Sequence, residues 1–109
     1  MILLYNSQWK LLKSWRQKSK MANIIKLKGT EAACGVNTGA ASNFGSATIV
    51  RLVNTTTSAH LVTLEESGGT DIGTCTVAAG EVIFIKKNPT DKIFAANAGV
   101  LGSAVSLEG

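Results

Sequence analysis

The chain has 109 residues, room for one small domain, and its 11 Lys+Arg against 7 Asp+Glu give a formal charge of +4. No apolar run approaches the about 20 residues that span a bilayer. The opening Ile2-Leu3-Leu4-Tyr5 precedes the basic residues, the reverse of a secretory signal. With 45% hydrophobic and 17% charged residues, most of the chain can build a core, which excludes disorder beyond the start.

The charge is unevenly placed. Residues 1–20 carry Lys10, Lys13, Arg16, Lys18 and Lys20 with no acid, whereas residues 21–109 hold six basic and seven acidic residues, a net −1. Both tryptophans, Trp9 and Trp15, and the single Tyr5 lie in this leader, and all 11 glycines and Pro89 lie after it. On a helical wheel Ile2, Leu4, Tyr5, Trp9, Leu11, Leu12 and Trp15 share one half, with Gln8 and Arg16 intruding. The pattern is that of an amphipathic helix or arm about 15 residues or 22 Å long. Three readings stay open for it: a docking arm with Trp9 and Trp15 as anchors, an interfacial membrane helix, or an upstream stretch outside the mature protein. The last arises because Met21-Ala22-Asn23 reads as an ordinary translation start.

From Met21 onward the apolar pattern has period two. Residues 24–28 read as a first strand. A Gly/Ala/Asn-rich loop of about 17 residues follows, Gly29 to Gly45, long enough to be either an interaction loop or a flexible one. Further strands are expected at 47–54, 60–66, 71–78, 81–87, 92–96 and 103–107. The breaks carry turn chemistry: Ser67-Gly68-Gly69-Thr70, Ala79-Gly80, Asn88-Pro89-Thr90-Asp91 and Asn97-Ala98-Gly99. Six to seven short strands at this spacing predict a single antiparallel β-sandwich spanning residues 21–109. Val50, Leu52, Val62, Leu64, Cys75, Val77, Ile83 and Ile85 are expected to face inward, with Phe84, Phe94, Ile93, Val105 and Leu107 competing for burial. Val82–Ile85 reads as a strand covered on both faces. Truncating Phe84 or Phe94 to Ala is then expected to cost about 3–5 kcal/mol.

The residues offer little for catalysis. His60 is the only histidine and no nucleophile-elbow motif occurs. Glu65 and Glu66 are adjacent on a strand, point to opposite faces and read as a solvated strand end. The Gly35, Gly39 and Gly45 spacing lacks the Lys-Ser/Thr of a phosphate loop. Lys86-Lys87 reads as a solvated strand end. Cys34 and Cys75 are expected to be reduced, with Cys75 a buried thiol in its strand, and with His60 they fall short of a metal set. The near-neutral domain has no basic stripe and only Phe44, Phe84 and Phe94 as aromatics, which argues against specific nucleic-acid binding. The expectation is a protein without catalytic, cofactor or metal sites. Its uncharged Ala/Thr/Ser/Asn/Gly surface suits packing against other proteins. The candidate interface is Trp9, Leu12, Trp15 and Arg16 of the leader, with Asn37, Asn43 and Phe44 of the long loop.

Four stretches are distinctive: Ala47-Thr48-Ile49-Val50-Arg51-Leu52-Val53-Asn54, His60-Leu61-Val62-Thr63-Leu64, Gly80-Glu81-Val82-Ile83-Phe84-Ile85-Lys86-Lys87 and Thr90-Asp91-Lys92-Ile93-Phe94-Ala95. Together they resemble small virion proteins of marine tailed bacteriophages, especially those that infect cyanobacteria. The resemblance covers about residues 22–109 and leaves out the leader. It implies a non-enzymatic β-sandwich component of the particle. The first choice is a capsid decoration, or cement, protein bound to major capsid subunits. Such proteins are often trimeric, so a homo-oligomer is implied, located on the virion surface and in the host cytoplasm during assembly. A neck, tail or fibre-associated component is the alternative. A membrane-surface or host-directed role rests on the leader alone.

Overall fold

The computed structural model describes residues 24–107; Trp9, Leu12, Trp15, Arg16 and the helical reading of the leader lie outside them. Eight strands follow in order: β1 (Ile25–Leu27), β2 (Ala32–Ala33), β3 (Ile49–Asn54), β4 (His60–Glu65), β5 (Asp71–Val77), β6 (Val82–Lys86), β7 (Lys92–Ala95) and β8 (Val100–Leu107). They form two antiparallel sheets packed as a sandwich. One has the order β1-β8-β3-β6, with β2 also pairing β8, and the other the order β5-β4-β7.

Alternation builds the core. Along β3, Val50 and Leu52 are fully buried while Ile49, Arg51 and Val53 face outward. Val62 on β4, Val77 on β5, Ile93 and Ala95 on β7 and Val100 on β8 complete the centre, with Leu64, Ile83 and Ile85 packed against it. The expected turns are present. Gly69 and Gly80 adopt φ of 94° and 75°, Asp91 N–H donates to Asn88 O at 3.0 Å, and Val100 N–H donates to Asn97 O at 3.2 Å. The last strand begins at Val100, three residues earlier than its pattern suggests, because its first half pairs with the end of β3.

The long Gly-rich loop is a built part of the sandwich. Cys34 N–H donates to Val100 O (3.1 Å) in one sheet, and Ala95 N–H donates to Gly35 O (2.8 Å) in the other. Ser42 and Ile93 exchange both backbone bonds, at 3.0 and 2.8 Å. Residues 32–42 therefore close the flank where β8 and β7 face each other. Between these anchors a 3-10 turn, Thr38–Ala40, comes close to the β4–β5 turn: a Cβ on Gly69 would lie 3.0 Å from the Thr38 methyl.

Several expectations are corrected by topology. Phe84 and Val82 lie on the outward face of β6 at 45% and 41% exposure, so this strand is covered on one face only. Leu107 is likewise 45% exposed, and Phe94 is half-buried beside the core rather than in it. Cys75 shares the inward face with Val62 but is exposed, because β5 is an edge strand with no flank built over it. Glu65 and Lys87, expected to be solvated, are 0% and 6% exposed.

Candidate functional site

The feature that stands out is the outward face of the larger sheet. Antiparallel register places Val53 beside both Val82 and Leu101, Phe84 beside Arg51, Leu27 beside Val105 and Leu107 beside Ile25. Leu27 is 70% exposed, and Phe84 and Leu107 are each 45% exposed. In the middle sits Arg51, whose Nη1 is 3.5 Å from Glu31 Oε2. That pair is open to solvent, so it contributes little stability, but it tethers the chain before β2 to the sheet and partly neutralises the face. A shallow open depression beside it is lined by Ile25, Leu27, Gly29, Glu31, Arg51 and Ser103. Contiguous exposed apolar side chains of this kind mark surfaces that meet another molecule.

The loop residues expected at an interface occupy different positions. Asn37 caps the 3-10 turn, its Oδ1 accepting from Ala40 N–H at 3.0 Å. Asn43 Oδ1 accepts from Gly45 N–H and Ser46 N–H, at 3.1 and 3.3 Å. These bonds hold a turn in which Phe44, Gly45 and Ser46 all have positive φ, a conformation that costs a side-chain-bearing residue on the order of 1 kcal/mol. The turn drives Phe44 inward to 8% exposure, against Gly102 of β8. Phe44 is a core residue and presents no docking surface. Asn37 and Asn43 remain exposed, yet their oxygens serve the local backbone.

Sequence reasoning missed Leu27, Val82, Phe84 and Leu107 as surface residues. The available signal was that β6 carries apolar residues at both parities. That pattern fits a strand covered on both sides or an edge strand with one bare apolar face, and only strand order separates the two.

Ionisable groups inside the fold are few. Lys87 Nζ donates to Asn88 O (3.2 Å) and Pro89 O (3.5 Å). Its desolvation lowers its pKa, with the nearby Asp91 charge opposing. Asp91 Oδ2 in turn accepts from Asn88 N–H at 3.1 Å, which fixes the β6–β7 turn. Glu65 is fully buried, and neither carboxylate oxygen has a hydrogen-bond partner. Among the described residues no group of three or more His, Cys, Asp or Glu is placed to hold a metal ion, and no helix is long and apolar enough to cross a membrane.

The two thiols differ sharply. Burial pushes the Cys34 thiol up from 9.0 to about 11, against a smaller lowering by a backbone hydrogen bond, whereas Cys75 is exposed. A thiol reagent at neutral pH is expected to modify Cys75 well before Cys34, which should react only on unfolding. Because folding raises the Cys34 pKa, its contribution is complete below pH about 9 and is lost as pH rises through about 9 to 11. The stability gap between wild type and Cys34→Ala should therefore narrow over that window, measured by urea melts at several pH values. A constant gap would show that the thiol ionises at the same pH in the folded and unfolded states.

Neither a protein-family model, nor a curated protein, nor a solved structure matches the chain.

Proposed function

We propose that this protein is a structural component of a tailed-phage virion, a capsid decoration protein that binds major capsid subunits through the outward face of its larger sheet. The observation that supports a binding rather than a catalytic role is the exposed apolar set Leu27, Val82, Phe84 and Leu107 on a rigid sheet. The assignment to a virion rests on the resemblance of the β3, β4, β6 and β7 sequences. Burial of these side chains against a capsid subunit supplies the affinity. Because the contact is mainly apolar, it resists salt. Each contact can be modest, since a capsid presents many identical sites.

The test is the copy number of the chain in purified particles, combined with a surface variant. A copy number near that of the major capsid protein supports decoration, whereas a few copies per particle assign it to the neck or tail. Absence from particles rejects both. Phe84→Asp with Val82→Asp is expected to abolish incorporation and lower the urea midpoint far less than a core truncation, because both side chains lie on the outward face at 45% and 41% exposure. Full incorporation of that variant would reject this face as the docking surface.

A further inference from the structure

The free edge of the smaller sheet is a separate feature, independent of the outward sheet face and of any virion role. The three-stranded sheet ends at β5, whose only protection as an edge is an irregularity near its start, where the pairing with β4 skips Ile72. On the opposite edge, β7 is covered by Gly35 and Ser42. In the other sheet, β1 and β2 are three and two residues long, and β6 runs into Lys86 and Lys87. By contrast, β5 is seven residues long and contains no Lys, Arg or Pro; its one charge, Asp71, is at its start. From Asp71 to Thr76 every residue is exposed. A long uncharged edge with free backbone groups is a template for another strand.

The direction of those groups follows from the ladder. Ala96 N–H donates to Leu61 O at 2.9 Å, so Leu61 turns its peptide groups toward β7. Alternation then turns those of Val62 and Leu64 toward β5, where they meet Cys75 and Gly73. Thr74 and Thr76 therefore aim their N–H and C=O away from the sheet, and β4 is the only strand paired with β5 among the described residues.

We propose that β5 pairs antiparallel with β5 of a second copy of this chain, about a two-fold axis through Cys75. The segment Thr74-Cys75-Thr76 reads the same in both directions. In this register Thr74 faces Thr76 of the second copy and Thr76 faces its Thr74, so the outward N–H and C=O of both residues are satisfied in reciprocal pairs. Two Thr–Thr pairs form on one face, a favourable cross-strand combination. On the other face Gly73 lies across from Val77 and Cys75 from its own copy. Asp71 falls opposite Ala79, so no like charges meet. An unrelated strand could use the same hydrogen bonds, but the palindrome gives self-pairing a defined register. The pair is a closed two-fold assembly, unlike the trimer that the virion resemblance implies.

Cys75 reports on the pairing directly. It occupies a non-hydrogen-bonded pair, where Cα atoms lie about 4.5 Å apart, inside the about 4.4–6.8 Å range of a disulfide. Full-chain protein treated with diamide is expected to give a reducible dimer linked only through Cys75. Two thiols then form one S–S bond, and their two electrons and two protons pass to the diamide. Light scattering on a sizing column should show a dimer for wild type and for Cys75→Ser, since the association does not need the bond. Thr74→Pro removes one outward N–H and is compatible with an edge strand. It should slow cross-linking about tenfold or more, the factor expected from losing a pair of net hydrogen bonds. Thr74→Lys with Thr76→Lys sets like charges opposite each other on a solvated face, and should give a folded monomer even if the proline variant does not fold. A wild-type monomer at the highest soluble concentration, a trimer, or a dimer that persists in the double-lysine variant would overturn the proposal.

Discussion

Phe44→Ala is expected to lower stability by about 3–5 kcal/mol in urea melts, and Phe84→Ala by less than about 1 kcal/mol. Both are aromatic residues in a chain with six, but their surroundings are opposite. Phe44 is 8% exposed, and its ring lies over Gly102, where an added Cβ would come within 2.7–2.8 Å of Cζ and Cε1. Removing the ring leaves a void between the β8 backbone and Leu52, at the centre of the larger sheet. A loss on this scale is a large part of the stability of a domain this small. Phe84 is 45% exposed beside Arg51 on the outward face of an edge strand, so its truncation opens no enclosed void. Gly102→Ala supplies the reciprocal test. Its methyl would meet Phe44 and also Leu52 Cδ2 at 2.8 Å, so it should destabilise by forcing both side chains aside. Equal effects of Phe44→Ala and Phe84→Ala would contradict the packing described here.

That pair of phenylalanines also shows where sequence reasoning stopped. Period-two patterning and local turn residues identified the sandwich and seven of its eight strands. Those signals act over a few residues: Gly69 and Gly80 take positive φ, and Asn88–Asp91 and Asn97–Val100 each close a turn. Strand order is not local. Whether Phe84 and Cys75 are covered depends on β6 and β5 being edge strands, and the apolar pattern within either strand does not encode that. The 29–45 segment was opaque for a related reason. Its Ala, Gly, Ser and Asn residues have weak strand preference, so β2 and the pairings of Gly35 and Ser42 arise only from contact with β8 and β7. Phe44 lay in this segment and was mistaken for a surface residue. Its inward direction follows from three successive positive φ values held by Asn43, which composition does not reveal. Of the candidate surface, composition indicated small uncharged residues but not that Leu27, Val82, Phe84 and Leu107 stand exposed.

Asn54→Ala is expected to cost about 2–4 kcal/mol, comparable to a large core truncation although it removes only a small amide. Asn54 is fully buried at the end of β3. Its Nδ2 donates to Ser58 O (2.8 Å) and Val77 O (2.9 Å). Its Oδ1 accepts from Thr56 N–H (2.9 Å) and Thr56 Oγ1 (2.7 Å). Two donors and two acceptor positions exhaust what the amide can offer. Through them Asn54 ties the β3–β4 turn to the end of β5, while its backbone accepts from Gly80 N–H at 2.8 Å and donates to Glu81 O at 3.1 Å. One side chain thus joins both sheets at this corner. Alanine takes that donor from the buried carbonyl of Val77 and leaves the exposed Ser58 O with Thr56 Oγ1 at 2.8 Å, and a buried group that loses its partner costs more than the bond contributes net. Asn54→Asp sharpens the test because its shape is nearly the same. It keeps the acceptor for Thr56 but presents a second oxygen to the two carbonyls in a buried setting, so at neutral pH it should be less stable than Asn54→Ala. Burial and carbonyl repulsion raise its folded-state pKa above the unfolded value of about 3.9. The penalty is therefore full at neutral pH and recedes as pH falls through the raised pKa, when a protonated carboxyl can again donate. Stability of Asn54→Asp relative to Asn54→Ala should rise on acidification in urea melts. A difference that does not move with pH would show that the corner admits water and that the amide is not the pin between the sheets.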